Sequence, residues 1–119
     1  MKLNDIRNFL EAKIITGEEY LGKEINCVYG SDLMSDVLTF VKRGSMLITG
    51  LTNSQVVRTA EIADISAICF VCDKEPQSET IQLAKENKIP LLVTKFSMYE
   101  SCGLLFKEGV SSCLTSDVK

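Results

Sequence analysis

The sequence predicts an α/β protein, a three-layer α/β/α sandwich built on a mainly parallel sheet. Three observations lead there. Four short apolar segments, Ile25–Tyr29, Met46–Thr49, Ala67–Val71 and Leu91–Thr94, recur about every 20 to 24 residues, which leaves room for a crossover helix in each gap. Runs such as Ala67-Ile68-Cys69-Phe70-Val71 are apolar at every position rather than at alternate ones, as in strands covered on both faces. The gaps carry apolar residues at helical spacing, with recognisable helix ends.

Taken in order, Asn4 or Asp5 is placed to cap a short helix through Leu10, and Lys13-Ile14-Ile15 reads as a strand. Thr16 to Lys23 is a polar turn with Gly17 and Gly22, and this 1–24 piece is expected to dock on the sheet. After the first parallel strand, Leu33, Met34, Val37, Leu38 and Val41 share a helical face. Ser31 or Asp32 serves as its N-cap and Lys42-Arg43-Gly44 as its basic, glycine-terminated end. Val56, Val57, Ala60 and Ala63 form a second stripe behind Thr52-Asn53-Ser54, any of which can cap it. A third helix is expected from near Pro76 to about Asn87, with Pro90 introducing the next strand. Ser97-Met98-Tyr99-Glu100 fits a capping box opening a last helix to about Lys107, ended by Gly109. Residues 1–110 are expected to form one domain. The polar tail 111–119 should fray unless Cys113 and Leu114 anchor it.

Composition mainly excludes. With 119 residues, 45% of them hydrophobic, the chain can bury one core without metal or disulfide staples. A net charge of -3 with scattered basic residues argues against nucleic acid or an anionic membrane as partner. Histidine is absent, which removes the usual neutral-pH general base, the Ser-His and Cys-His dyads and every His-containing metal site. No apolar run suits a signal peptide or a membrane span, so a cytoplasmic protein is expected. Cysteines 27, 69, 72, 102 and 113 are odd in number and lie mostly in apolar segments. They read as reduced thiols packed as small hydrophobes, with no disulfide framework.

In a parallel α/β sheet, functional loops gather at the carboxyl ends of the strands, beside helix N-termini. Here those loops offer a candidate rim for a phosphate or nucleotide: Ser31 and Asp32, then Gly50, Thr52, Asn53 and Ser54, then Asp73 and Lys74, and finally Lys95. Ordinary turn and capping chemistry uses the same residue types, and no Walker or G-x-G-x-x-G pattern adds weight. Cys69-Phe70-Val71-Cys72 has C-x-x-C spacing, but in a strand it reads as core packing, and with no second pair and no His it is a poor zinc site. Asp73 at a strand end invites comparison with the phosphoacceptor of receiver domains, with Lys95 as the later lysine. Only Asp32 stands near an early strand, however, where an acidic pair is needed for magnesium.

Val28-Tyr29-Gly30-Ser31-Asp32-Leu33-Met34, Leu47-Ile48-Thr49-Gly50, Pro76-Gln77-Ser78-Glu79 and Ile89-Pro90-Leu91-Leu92-Val93 together resemble the DRTGG domain. That family is similar in fold to the N-terminal domain of HPr kinase/phosphorylase. It also occurs between CBS domains of regulatory pyrophosphatases and in long phosphotransacetylases. The naming motif is degenerate: Gly50-Leu51-Thr52-Asn53 stands where the family has Gly-Asp-Arg, and Val71-Cys72-Asp73 where it has Thr-Gly-Gly. Replacing two glycines is expected to remove the freedom for positive φ and for close ligand approach.

The resemblance implies a stand-alone, non-catalytic regulatory or scaffold module without cofactor or metal, pairing as a homodimer and acting on a partner enzyme on another chain. The exposed faces of the helices after Ser31 and Ser97 are the expected dimer surfaces. The alternative is a sensor of a nucleotide or phosphorylated metabolite at the rim, where Thr52, Asn53 and Ser54 supply donors and Lys74 or Lys95 neutralises charge.

Overall fold

The computed structural model describes residues 1–113. Five strands form one sheet in the order β1-β5-β4-β3-β2: β1 (Lys13–Thr16), β2 (Cys27–Gly30), β3 (Ser45–Thr49), β4 (Ala67–Phe70) and β5 (Leu91–Val93). β2 to β5 run parallel, and β1 joins β5 antiparallel with an irregularity between Ile14 and Thr16. Among the described residues the α-helices are α1 (Leu3–Phe9), α2 (Met34–Phe40), α3 (Gln55–Ala63), α4 (Ser78–Glu86) and α5 (Met98–Lys107), with a short 3-10 helix at Glu18–Tyr20.

Strand alternation divides the core. Met46, Ile48, Ala67, Cys69 and Leu92 point to the face covered by α1 and α5, meeting Leu3, Ile6 and Leu105. Leu47, Ile68, Phe70, Leu91 and Val93 point to the other, meeting Val37 of α2, Val56, Val57 and Ala60 of α3 and Ala84 of α4. All of these side chains are buried, so β4, β5 and the middle of β3 read as unbroken apolar runs. The sandwich has three layers, as the sequence predicts.

Several helix ends differ from expectation, for local reasons. α1 starts earlier than an Asn4 or Asp5 cap allows. Asp5 sits in the first turn and its carboxylate accepts the Lys2 N–H at 3.3 Å. α2 is capped neither by Ser31 nor by Asp32: Leu33 is the N-cap, Ser31 Oγ accepts the Leu33 N–H at 3.0 Å, and Asp32 reaches across to β3. Of its predicted apolar face only Val37 is buried, and Leu33 and Leu38 face solvent. The helix stops at Phe40, with Val41 already extended, short of the glycine end expected at Gly44. Asn53 does the capping at α3, where its Oδ1 accepts the Gln55 N–H at 3.0 Å. α4 begins at Ser78 with Gln77 as its N-cap, close to the start expected near Pro76, and the Gln77 N–H and the Thr80 hydroxyl both donate to the Thr52 carbonyl, at 3.2 and 2.7 Å. The α5 capping box forms as predicted: Glu100 N–H donates to Ser97 Oγ at 3.1 Å and Ser97 N–H to the Glu100 carboxylate at 3.0 Å. Gly109, at φ 86°, follows that helix.

The cysteines correct the reading of five reduced thiols. Cys27 on β2 and Cys113 are joined by a disulfide, their Cα atoms 5.2 Å apart. The start of the tail is laid along β2, with Val28 N–H donating to the Ser111 carbonyl at 2.9 Å and Cys113 N–H to the Val28 carbonyl at 3.3 Å. Leu114 lies outside the described residues. Cys69 is the packed core thiol expected, its pKa pushed up to about 12 by burial. Cys72 is not: β4 ends at Phe70, which puts Cys72 on an exposed turn.

Candidate functional site at the strand ends

The rim forms where β2, β3, β4 and β5 end, and threonines tie it together. Thr49 closes β3 with its Oγ1 accepting the Leu51 N–H at 3.2 Å, and Thr94 follows β5 with its Oγ1 accepting the Phe96 N–H at 3.3 Å. The Thr94 hydroxyl also donates to the Leu10 carbonyl at 2.6 Å. These two threonines, not singled out from the sequence, share a legible signal: each follows a short apolar run and turns the chain two residues on.

Asp32 is the clearest cross-link. Its Oδ1 accepts the Thr49 hydroxyl at 2.8 Å and the Gly50 N–H at 2.7 Å, joining the loops after β2 and β3. A Cβ on Gly50 would lie 3.4 Å from both Asp32 Oδ2 and Lys74 Nζ, so Asp32, Gly50 and Lys74 come together. Ser31 supports the start of α2 instead. Thr52, Asn53 and Ser54 face the neighbouring loop and helices: the Thr52 carbonyl receives α4, Asn53 caps α3, and Ser54 Oγ donates to Glu79 Oε1 at 3.2 Å. Lys95 is exposed on the loop before α5.

The turn after β4 holds a surprise. Cys72 and Asp73 stand where glycines were expected to be needed, yet both keep the left-handed conformation, with φ of 59° and 57°. The freedom thought lost is retained under strain, and such a pair persists only when its surroundings hold it. Here the Cys72 N–H donates to the Phe96 carbonyl and the Asp73 N–H to the Thr94 carbonyl, both at 2.8 Å. Nearby, Lys13 Nζ meets Glu75 Oε1 at 2.6 Å, and this pair, with a smaller contribution from Asp73, raises the Lys13 pKa. Among the described residues no group of three or more Cys, Asp or Glu is arranged to hold a metal ion. No helix among them is long and apolar enough to cross a membrane.

A mainly parallel sheet between two helical layers, with its loops locked at one rim, defines an α/β/α module. Residues 5–106 match the DRTGG domain model, so the chain belongs to the DRTGG domain family. In fold it is similar to the CBS and DRTGG domains of the regulatory region of Clostridium perfringens pyrophosphatase, solved with the activator diadenosine tetraphosphate. The TM-score is 0.71 at 20% identity, over 97% of this chain and 50% of that one. The chain thus spans about half of that solved chain. A search of the curated proteins found no match.

Proposed function

We propose that the chain is a non-catalytic regulatory or scaffold module that acts through homodimerisation and contact with a partner protein. One contrast carries this reading. The rim groups nearest to a ligand-binding set are engaged in tying loops together, while α2 and α5 present Leu33, Leu38, Phe40, Tyr99 and Phe106 to solvent. Large apolar side chains left exposed on a helix mark a candidate association surface, and α2 and α5 offer one on each face of the sheet. Membership of a family found in a pyrophosphatase regulatory region supports it. Sedimentation velocity across the micromolar range tests it: a concentration-dependent dimer is expected, and a strict monomer at high micromolar concentration overturns the homodimer.

The second reading, a sensor of a nucleotide or phosphorylated metabolite, is favoured by Lys74 beside Gly50 and by the exposed Lys95 at the same rim. A thermal-shift screen against phosphate compounds separates the two, because a ligand at 100 times its Kd adds about 2.7 kcal/mol of stability.

A further inference from the structure

The exposed face of α5 is built around a glycine that the chain's own packing does not require. Gly103 lies mid-helix, and a Cβ built there meets nothing within 4 Å. Alanine in its place would favour the helix, so the missing side chain is explained by what approaches from outside. At 100° per residue, Tyr99 and Phe106 lie on one side of Gly103, and Glu100 and Lys107 on the other. Tyr99 is 88% and Phe106 78% exposed. A shallow concavity of about 360 Å³ runs along this face, lined by Phe96, Tyr99, Glu100, Gly103, Leu104 and Lys107.

We infer that this face is the seat of a second copy of the chain, with the two α5 helices antiparallel and crossing at Gly103. The inference rests on the homodimer reading above and adds the surface and its geometry. Along the axis Tyr99 and Lys107 lie about 6 Å on either side of Gly103, and Glu100 and Phe106 about 4.5 Å. A twofold axis in the interface, perpendicular to the helices, keeps each lateral side and reverses the axial direction. It sets Tyr99 against the partner's Phe106, Glu100 against the partner's Lys107, and Gly103 against the partner's Gly103. The face is therefore self-complementary in charge, with aromatic meeting aromatic and glycine meeting glycine at the crossing, as an isologous contact allows. A parallel pair would keep the axial level and swap the lateral sides, setting Glu100 against the partner's Tyr99 and Lys107 against the partner's Phe106 and leaving both charges without an opposite partner. The antiparallel arrangement also opposes the two helix dipoles favourably.

Sedimentation equilibrium on the full chain tests this, with circular dichroism confirming that each variant is folded. Glu100→Lys and Lys107→Glu should each weaken dimerisation about tenfold at low salt, since attraction becomes repulsion twice per dimer. The double reversal should recover most of the association, short of wild type by the Ser97–Glu100 capping bond that Glu100→Lys removes. Gly103→Arg should leave a folded monomer, and Gly103→Cys should form a covalent dimer on mild oxidation, mapped to residue 103 by peptide mass. If wild type dimerises and Gly103→Arg does not disturb it, the α5 face is wrong while the homodimer stands. If the single reversals weaken association and the double is no tighter than Glu100→Lys alone, the antiparallel pairing is wrong. A monomeric wild type removes both readings.

Discussion

Breaking the Cys27–Cys113 disulfide is expected to cost this fold heavily, because of how much chain it closes. The two residues are 86 positions apart, so the bond constrains most of the unfolded chain. The chain-entropy relation for a loop of that length gives about 4.6 kcal/mol at 25 °C, and measured bridges commonly return less. The two backbone bonds between Val28 and the segment 111–113 survive the cut. A loss of about 3 kcal/mol is therefore expected, which for a chain of this size lowers Tm by about 10–15 °C. Differential scanning calorimetry of oxidised wild type, reduced wild type and Cys113→Ser measures it, and a non-reduced digest should contain the linked 27–113 peptide. If the oxidised protein and Cys113→Ser melt within about 1 °C of each other, the argument from loop closure fails, since even a weak bridge should exceed that difference.

Three further outcomes are expected. Asp32→Ala removes the acceptor for Thr49 and Gly50 and should cost about 1–2 kcal/mol, an exposed carboxylate bonding less strongly than a buried one; urea unfolding with an unchanged midpoint would contradict the cross-link. Cys72→Gly relieves the left-handed strain at φ 59° and gives part of that back in backbone entropy, so a net gain of about 0.5–1 kcal/mol and a higher Tm are expected. A melt at or below wild type would count against it. The Glu100 carboxyl is held below its ordinary range mainly by the Ser97 backbone N–H, with the Ser97 side chain adding to it. A lowered folded pKa means that its support for α5 is present above the unfolded value and lost as pH falls through the folded one. NMR titration should find the Glu100 midpoint below 4.5, with the first turn of α5 loosening on the acid side of it; an unshifted midpoint would remove the capping box from solution.

The strand spacing and unbroken apolar runs were legible because parallel strands buried on both faces leave no alternative pattern. The Ser97–Glu100 box was legible because both of its partners lie within four residues. What escaped were contacts made across the fold. Asp32 stands where a cap would stand, yet its carboxylate bonds to residues 17 and 18 positions away. The pairing of Cys27 with Cys113 depends on how the tail lies along β2, which no local spacing encodes. At Cys72 and Asp73 the inference from residue type to backbone failed because tertiary hydrogen bonds overrode intrinsic preference. The candidate rim was visible as a set of loops, but which of its groups already had partners was not.

Two segments far apart in sequence latch the entry to the edge strand β2. The amino group of Met1 bonds to the Glu24 carboxylate at 2.6 Å, and the Met1 carbonyl accepts the Ile25 N–H at 2.8 Å, while Cys113 is bridged to Cys27. Met1 and Cys113 are thus both held at the same few residues entering β2. Loosening either segment would therefore free β2 first, and through it the Asp32 loop that follows.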